Sequence, residues 1–231
     1  MQLQADEIRV AAAANLRYVL PELAEVFEQQ TGHQLAISYA ASGTLTTQIQ
    51  HGAPFDVFLS ASPNYTDRLI KAGFTEGDPV NYAQAQLVLF ASNNSVLNIG
   101  EGIQSLKVAL EKGKLNKIAI ANPRHAPYGQ AAQLELEKLG IWQQIQPHLL
   151  IAENASQAVQ FSLSSSVDAG LVPLGHILQP AIVSQGEFVK LDILLQQQGV
   201  LVRGAPEIAK QLLSYLHQTK AKTILYQYGF L

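Results

Sequence analysis

Apolar runs of four to six residues alternate with helical spacings along this chain. Residues 8–13 are such a run, and Leu16, Val19, Leu20, Leu23, Ala24, Val26 and Phe27 follow at the spacing of one helix face, with Pro21 still in the first turn. The pattern predicts a strand, then a helix. It predicts a second strand over 35–39, a short helix over 45–50 closed by Gly52, and a buried third strand over 57–60. Ser62-Pro63 reads as a helix cap and first helical position, opening a helix that stops at Gly73. After a longer apolar strand over 86–91 the order starts again: strand 118–121, helix 130–139 closed by Gly140, strand 149–152, helix 156–164 and strand 169–172. A last apolar strand, 199–202, precedes two helical patterns over 206–218 and 221–228.

Strand and helix in alternation imply an α/β chain whose mainly parallel sheets are flanked by helices. The restart after residue 91 suggests two lobes joined by the apolar strands near 86–91 and 199–202. This places 1–84 and 203–231 in a first, discontinuous lobe and 85–202 in a second. The glutamine run Gln196-Gln197-Gln198 reads as a solvated stretch before the strand, and Gly100-Glu101-Gly102 as a turn.

Composition narrows the function. With 231 residues, 48% hydrophobic and 14% charged, the chain can bury a sizeable core, and its net charge of -3 comes with scattered Lys and Arg, which argues against nucleic acid or an anionic membrane as partner. The absence of Cys excludes a disulfide frame, a thiol nucleophile and Cys-based metal sites. The six His have no metal-ligand spacing, so neither cofactor nor bound metal is expected. No run approaches the roughly 18 apolar residues of a membrane span, and Met1-Gln2-Leu3-Gln4-Ala5-Asp6 has no signal core. An exported protein would then have had its signal removed.

Four strand-to-helix junctions are small, polar and uncharged: Ala13-Ala14-Asn15, Ala41-Ser42-Gly43, Pro127-Tyr128-Gly129 and Asn154-Ala155-Ser156. In open α/β sheets the ligand crevice lies beyond the carboxyl ends of the strands, where helix N-termini turn unpaired N–H groups and positive dipole ends outward. Two junctions from each half could aim such groups at one small anion. Each also has a plainer reading, in which Ser42, Asn154 and Ser156 are helix caps, Gly43 and Gly129 are turn residues, and Asn15 caps its own helix.

The segments "AAAANL" (11–16), "ASGTLTTQIQHGAPFDVFLSA" (41–61), "ANPRHAPYG" (121–129) and "AENASQAVQFSLSSSVDAGLV" (152–172) together resemble the periplasmic molybdate-binding proteins of the ModA family, receptors of ABC importers. The likeness runs in order over nearly the whole chain, and "GAP-DVF-SA" and "NP--APYG" are its more specific parts. It implies a two-lobed type II periplasmic binding protein fold with the ligand cleft between the lobes, a periplasmic location, a membrane permease as partner and a monomeric receptor. It also implies ligand contacts at Ala14, Asn15, Ser42, Tyr128 and Ala155. Ala155 stands where a valine is common, a change that spares a backbone N–H contact. At "GLVPLG" many members have a tyrosine that donates to the oxyanion. Here Pro173 offers neither hydroxyl nor N–H, so the resemblance implies one donor fewer.

Backbone N–H groups with a Ser hydroxyl and an Asn amide satisfy a fully deprotonated tetrahedral oxyanion, whereas monoprotonated phosphate needs an acceptor for its own O–H. The expected ligand is molybdate or tungstate. Sulfate or another tetrahedral oxyanion is the alternative. A serine hydrolase using Ser42 is a further alternative, with His125 as base and no carboxylate marked to orient it; Asp56 is expected to bond near its own strand. No HExxH, GxSxG or P-loop supports an enzyme. A cytoplasmic sensor would need a DNA-binding module, and the chain has no basic recognition helix.

Overall fold

The computed structural model describes residues 7–231; the first six, on which the reading of the chain start falls, lie outside them. In chain order, strand β1 (Glu7–Ala13) leads through a 3-10 turn (Ala14–Leu16) into helix α1 (Leu20–Thr31), followed by β2 (Gln34–Ala40), α2 (Ser42–Gln50), β3 (Val57–Ser60) and α3 (Pro63–Lys71). Then come β4 (Thr75–Ser92), α4 (Gln104–Glu111), β5 (Ile118–Ala121), α5 (Pro127–Lys138), α6 (Trp142–Ile145), β6 (Leu149–Ala152) and α7 (Ala155–Ser162). The remainder is β7 (Ala169–Pro173), α8 (Leu174–Ile177), α9 (Pro180–Val183), β8 (Gly186–Val202), α10 (Ala209–Tyr215) and α11 (Thr219–Gln227). None of the described helices is long and apolar enough to cross a membrane.

The chain divides into two units, one running up to Gln84 and taking in Gln196–Leu231, the other Ala85–Leu195. It passes from one to the other inside β4 and back inside β8. The hydropathy pattern puts the second passage after residue 202; the structure puts it between 195 and 196, because Gln198, Gly199, Val200 and Leu201 pair antiparallel with Ser60, Leu59, Phe58 and Val57 of β3.

Both units repeat one plan. In the first, β1 lies parallel to β2 on one side and to β3 on the other, and β8 closes β3 antiparallel. In the second, β5 lies parallel to β6 and β7, and β4 runs antiparallel to β7. β1, β3, β5 and β7 are buried along nearly their whole length, as central strands covered on both faces must be. In the first unit Ala11, Leu45, Ile49, Phe58, Leu69 and Val200 form one buried cluster that fastens α2 and α3 to the sheet.

Several elements depart from the hydropathy reading. The Gln196-Gln197-Gln198 run is not solvated: it lies inside β8, with Gln197 fully buried and Gln198 nearly so. Side-chain partners replace water there, as described below. α4 has no counterpart in the predicted pattern, and β4 begins at Thr75 rather than at 86; its first half, rich in polar residues and carrying Pro79, lacks the apolar run by which the pattern marks its second half.

Asp56, just before β3, ties that strand to β1. Its buried carboxylate accepts from Arg9 N (2.8 Å), Arg9 Nε (3.0 Å) and a terminal guanidinium nitrogen (2.5 Å), while Asp56 N donates to Arg9 O (2.8 Å). Burial alone would raise the Asp56 pKa; the Arg9 bonds and charge outweigh it and hold the carboxyl below its usual value. A depressed carboxyl stabilises the fold above its unfolded pKa, near 4, and loses that contribution as pH falls through the folded value. Asp56→Ala should therefore cost about 2 kcal/mol in urea unfolding at pH 7. The gap between variant and wild type should close as the pH is lowered below about 4.

Candidate functional site

The three parallel strands of the first unit end side by side, with Ala13 opposite Ala40 and Ala12 opposite Leu59. The segments that leave them therefore share one edge of the sheet: Ala14-Asn15 after β1, Ala41-Ser42 after β2, and Ala61 after β3. Ala14, Asn15, Ser42 and Ala61 are all buried.

Ser42 is the first residue of α2 and does not cap it; the cap position is Ala41, which offers no side chain for the purpose. Instead Ser42 Oγ accepts from Ala61 N at 3.1 Å. That bond uses the hydroxyl as an acceptor, and its own proton has no acceptor among the described residues. Thr46 Oγ1 and Thr47 Oγ1 donate back to the carbonyls of Ser42 and Gly43 at 2.9 and 3.1 Å, holding the first turn of α2. The first helical N–H groups, those of Ser42, Gly43 and Thr44, precede the first ladder bond, Leu45 N to Ala41 O.

Asn15 sits in the 3-10 turn and caps neither that turn nor α1. Its Nδ2 donates to Gln197 Oε1 at 3.0 Å, and its Oδ1 is buried without a partner. Arg17, the nearest cation in sequence, lies over the Tyr39 ring, 4.8 Å from its centroid. Burial pushes the Tyr39 phenol up to about 12, with Arg17 opposing. Among the described residues, no charged side chain is in hydrogen-bond contact with Asn15 or Ser42.

The second unit has the same edge. Ala121 of β5 is opposite Ala152 of β6, and Asn122 N donates to Ala152 O at 2.7 Å. The turn after β5 is closed by Ala126 N to Asn122 O (2.9 Å) and Arg124 N to Asn122 Oδ1 (3.0 Å), and it delivers Pro127-Tyr128-Gly129 as the first turn of α5. Pro127 has no N–H to leave unsatisfied, so Tyr128 and Gly129 carry the first-turn donors. After β6, Asn154 caps α7 in the plainer of its two roles, its Oδ1 accepting from Gln157 N at 3.1 Å, while Gln157 Oε1 accepts from Glu153 N at 2.7 Å. Ala155 is then the first helical residue. Pro173 ends β7 and occupies the cap position of α8, with no N–H to offer.

Thus Ala14, Asn15 and Ser42 share one edge of the first unit, and Tyr128 and Ala155 one edge of the second. Gln197, bonded to Asn15, escapes the sequence reading because its polar run hides a buried strand. Ala61, the donor to Ser42, is visible only as part of the "LSA" that ends β3. His125 lies 3.8 Å through Nε2 from the exposed Glu153 carboxylate, a long contact at the surface. No group of three or more His, Asp or Glu among the described residues could hold a metal ion.

Gly129 lets α5 start against the end of β5, since a Cβ there would stand 2.1 Å from Ala121 O and 2.7 Å from the carbonyl carbons of Ala121 and Asn122. Gly129→Ala must therefore push the helix start off the strand end. It should cost about 3 kcal/mol, in the upper range of overpacked sites, and lower the melting temperature by several degrees.

The model of the bacterial extracellular solute-binding proteins matches residues 8–231. The molybdate-binding protein ModA of Azotobacter vinelandii is 32% identical over 98% of this chain and 90% of its own length, and that of Rhodobacter capsulatus is 31% identical over 98% and 88%. The solved structure of the Azotobacter vinelandii periplasmic molybdate-binding protein superposes with a TM-score of 0.88 at 31% identity, covering 97% of this chain and 98% of that one. These are binding proteins, not enzymes, which removes the hydrolase reading of Ser42. The junction segments and the repeated α/β plan thus have their explanation in descent: the chain belongs to the ModA family of bacterial extracellular solute-binding proteins.

Proposed function

We propose that this protein captures molybdate, and tungstate as its near equivalent, in the periplasm and hands it as a monomer to the permease of an ABC importer. The anion is bound by uncharged donors from both units: the Asn15 amide, the Ser42 hydroxyl and N–H, and backbone N–H groups at Ala14, Tyr128 and Ala155. Sharing one guest between the units would favour their closed arrangement, which the permease reads.

The observation that carries this reading is Ser42. Its buried hydroxyl accepts from Ala61 N while its own proton has no acceptor among the described residues, and an oxygen of a fully deprotonated guest would be that acceptor. The names of the relatives supply the metal: two proteins about a third identical over nearly the whole chain are molybdate-binding.

A hydrogen bond to a charged group is worth about 1.5–3 kcal/mol, so Ser42→Ala should weaken molybdate binding roughly tenfold to a hundredfold in titration calorimetry. Unchanged affinity would remove Ser42 from the site. In a thermal-shift series, molybdate and tungstate at about 100 times their Kd should each add roughly 2.7 kcal/mol of stability. Phosphate should add nothing at the same concentration; phosphate binding as tightly as molybdate would contradict the all-donor site and point to Asn15 Oδ1 as the acceptor of its proton.

A further inference from the structure

β8 enters the first unit at Gln196, and three glutamines open that stretch. Side chains alternate along a strand, so Gln197 faces away from its two neighbours. Gln196 Nε2 donates to Ala83 O at 2.9 Å; Gln198 Nε2 donates to Asn81 Oδ1 at 2.8 Å, and its Oε1 accepts from Thr66 Oγ1. Gln197 alone turns to the other side, where its Oε1 takes the Asn15 Nδ2 bond.

Among the described residues, that bond is the one hydrogen bond of the Asn15 side chain. The residue lies in a three-residue turn between Ala14 and Leu16, its side chain caps nothing, and its Oδ1 is buried with no partner. An asparagine amide rotates broadly about its last torsion, and the choice between its two faces is set by its hydrogen-bond partners. With Gln197 Oε1 opposite, the amide must present nitrogen there, since the reversed amide would bring two carbonyl oxygens together. One hydrogen of Nδ2 is then committed to Gln197, and the second is held in a single direction. A buried neutral acceptor does this without placing a negative charge beside a site that takes an anion.

We infer that Gln197 is a positioning residue of the anion site, holding the Asn15 amide as a donor through the Oε1–Nδ2 bond. The inference rests on the proposed role of Asn15 as an anion contact. Gln197 is also the second residue of β8 within the first unit, so the residue that aims Asn15 is carried by a strand through which the chain passes between units.

A double-mutant cycle on the whole protein, read as molybdate affinity by calorimetry, tests it. Gln197→Met keeps the volume and removes the acceptor; it should weaken molybdate binding about three- to tenfold, the scale of one hydrogen bond. Asn15→Ala should weaken binding at least as much, and Asn15→Ala with Gln197→Met should be no weaker than Asn15→Ala alone. A merely structural role for Gln197 would weaken binding by the same factor in both backgrounds, and that result, or full affinity of Gln197→Met, overturns the inference while leaving the anion site standing. Full affinity of Asn15→Ala overturns the Asn15 contact and the inference together. Should Gln197→Met not fold, Gln197→Asn, which keeps the amide but withdraws its oxygen by one carbon, runs the same cycle with the same two outcomes.

Discussion

The first N–H groups of a helix have no acceptor within that helix, and much of this protein is arranged around that deficit. α2, α5 and α7 each begin at the carboxyl end of a parallel strand; Ala41 and Ala126, at the cap positions of α2 and α5, offer no capping side chain, whereas Asn154 covers part of the α7 N-terminus through Gln157 N. Gly129 lets one helix start against the backbone of its strand. Ser42, placed where a capping residue could be expected, spends its oxygen on Ala61 instead. Each unit thus carries uncharged donors at one edge of its sheet, and such donors suit a guest that is all acceptor.

Charge is kept structural. The strong ion pair of the first unit, Arg9 with Asp56, ties β1 to β3 at the end of β3 opposite the candidate site. Arg17 is engaged on the Tyr39 ring. Neutral donors fixed by a rigid framework can bind a dianion while giving a protonated anion no place for its hydrogen, a discrimination that a lysine or arginine does not provide. The requirement falls on orientation, so the groups that hold the donors matter as much as the donors. Ala61 for Ser42 and Gln197 for Asn15 are such groups, one a backbone amide and one a buried side chain.

Much of the fold is legible in the sequence because central strands are short continuous apolar runs. Residues 57–60, 118–121 and 149–152 are strands with the predicted bounds. Helix starts are harder. α2 begins at Ser42 rather than Leu45 and α5 at Pro127 rather than Gln130, since a first turn built of small polar residues carries no apolar periodicity. The glutamines of β8 escape the pattern for another reason, since hydropathy registers a buried amide as solvated whatever its partners, and the first half of β4 escapes it because it is largely exposed and has no apolar run. Asn15, Ser42 and Tyr128 could be picked out as small neutral junctions and by family resemblance, but the bond from Asn15 to Gln197 spans 182 residues and only the fold reveals it.

The central claim is that an anion with no counter-charge beside it is held by neutral donors. A crystal structure of the protein grown with molybdate tests this most directly. The account requires oxyanion oxygens within hydrogen-bond distance of Ser42 Oγ and Tyr128 N, with no lysine or arginine in contact. Molybdate seated elsewhere, or paired with a cationic side chain, would contradict it.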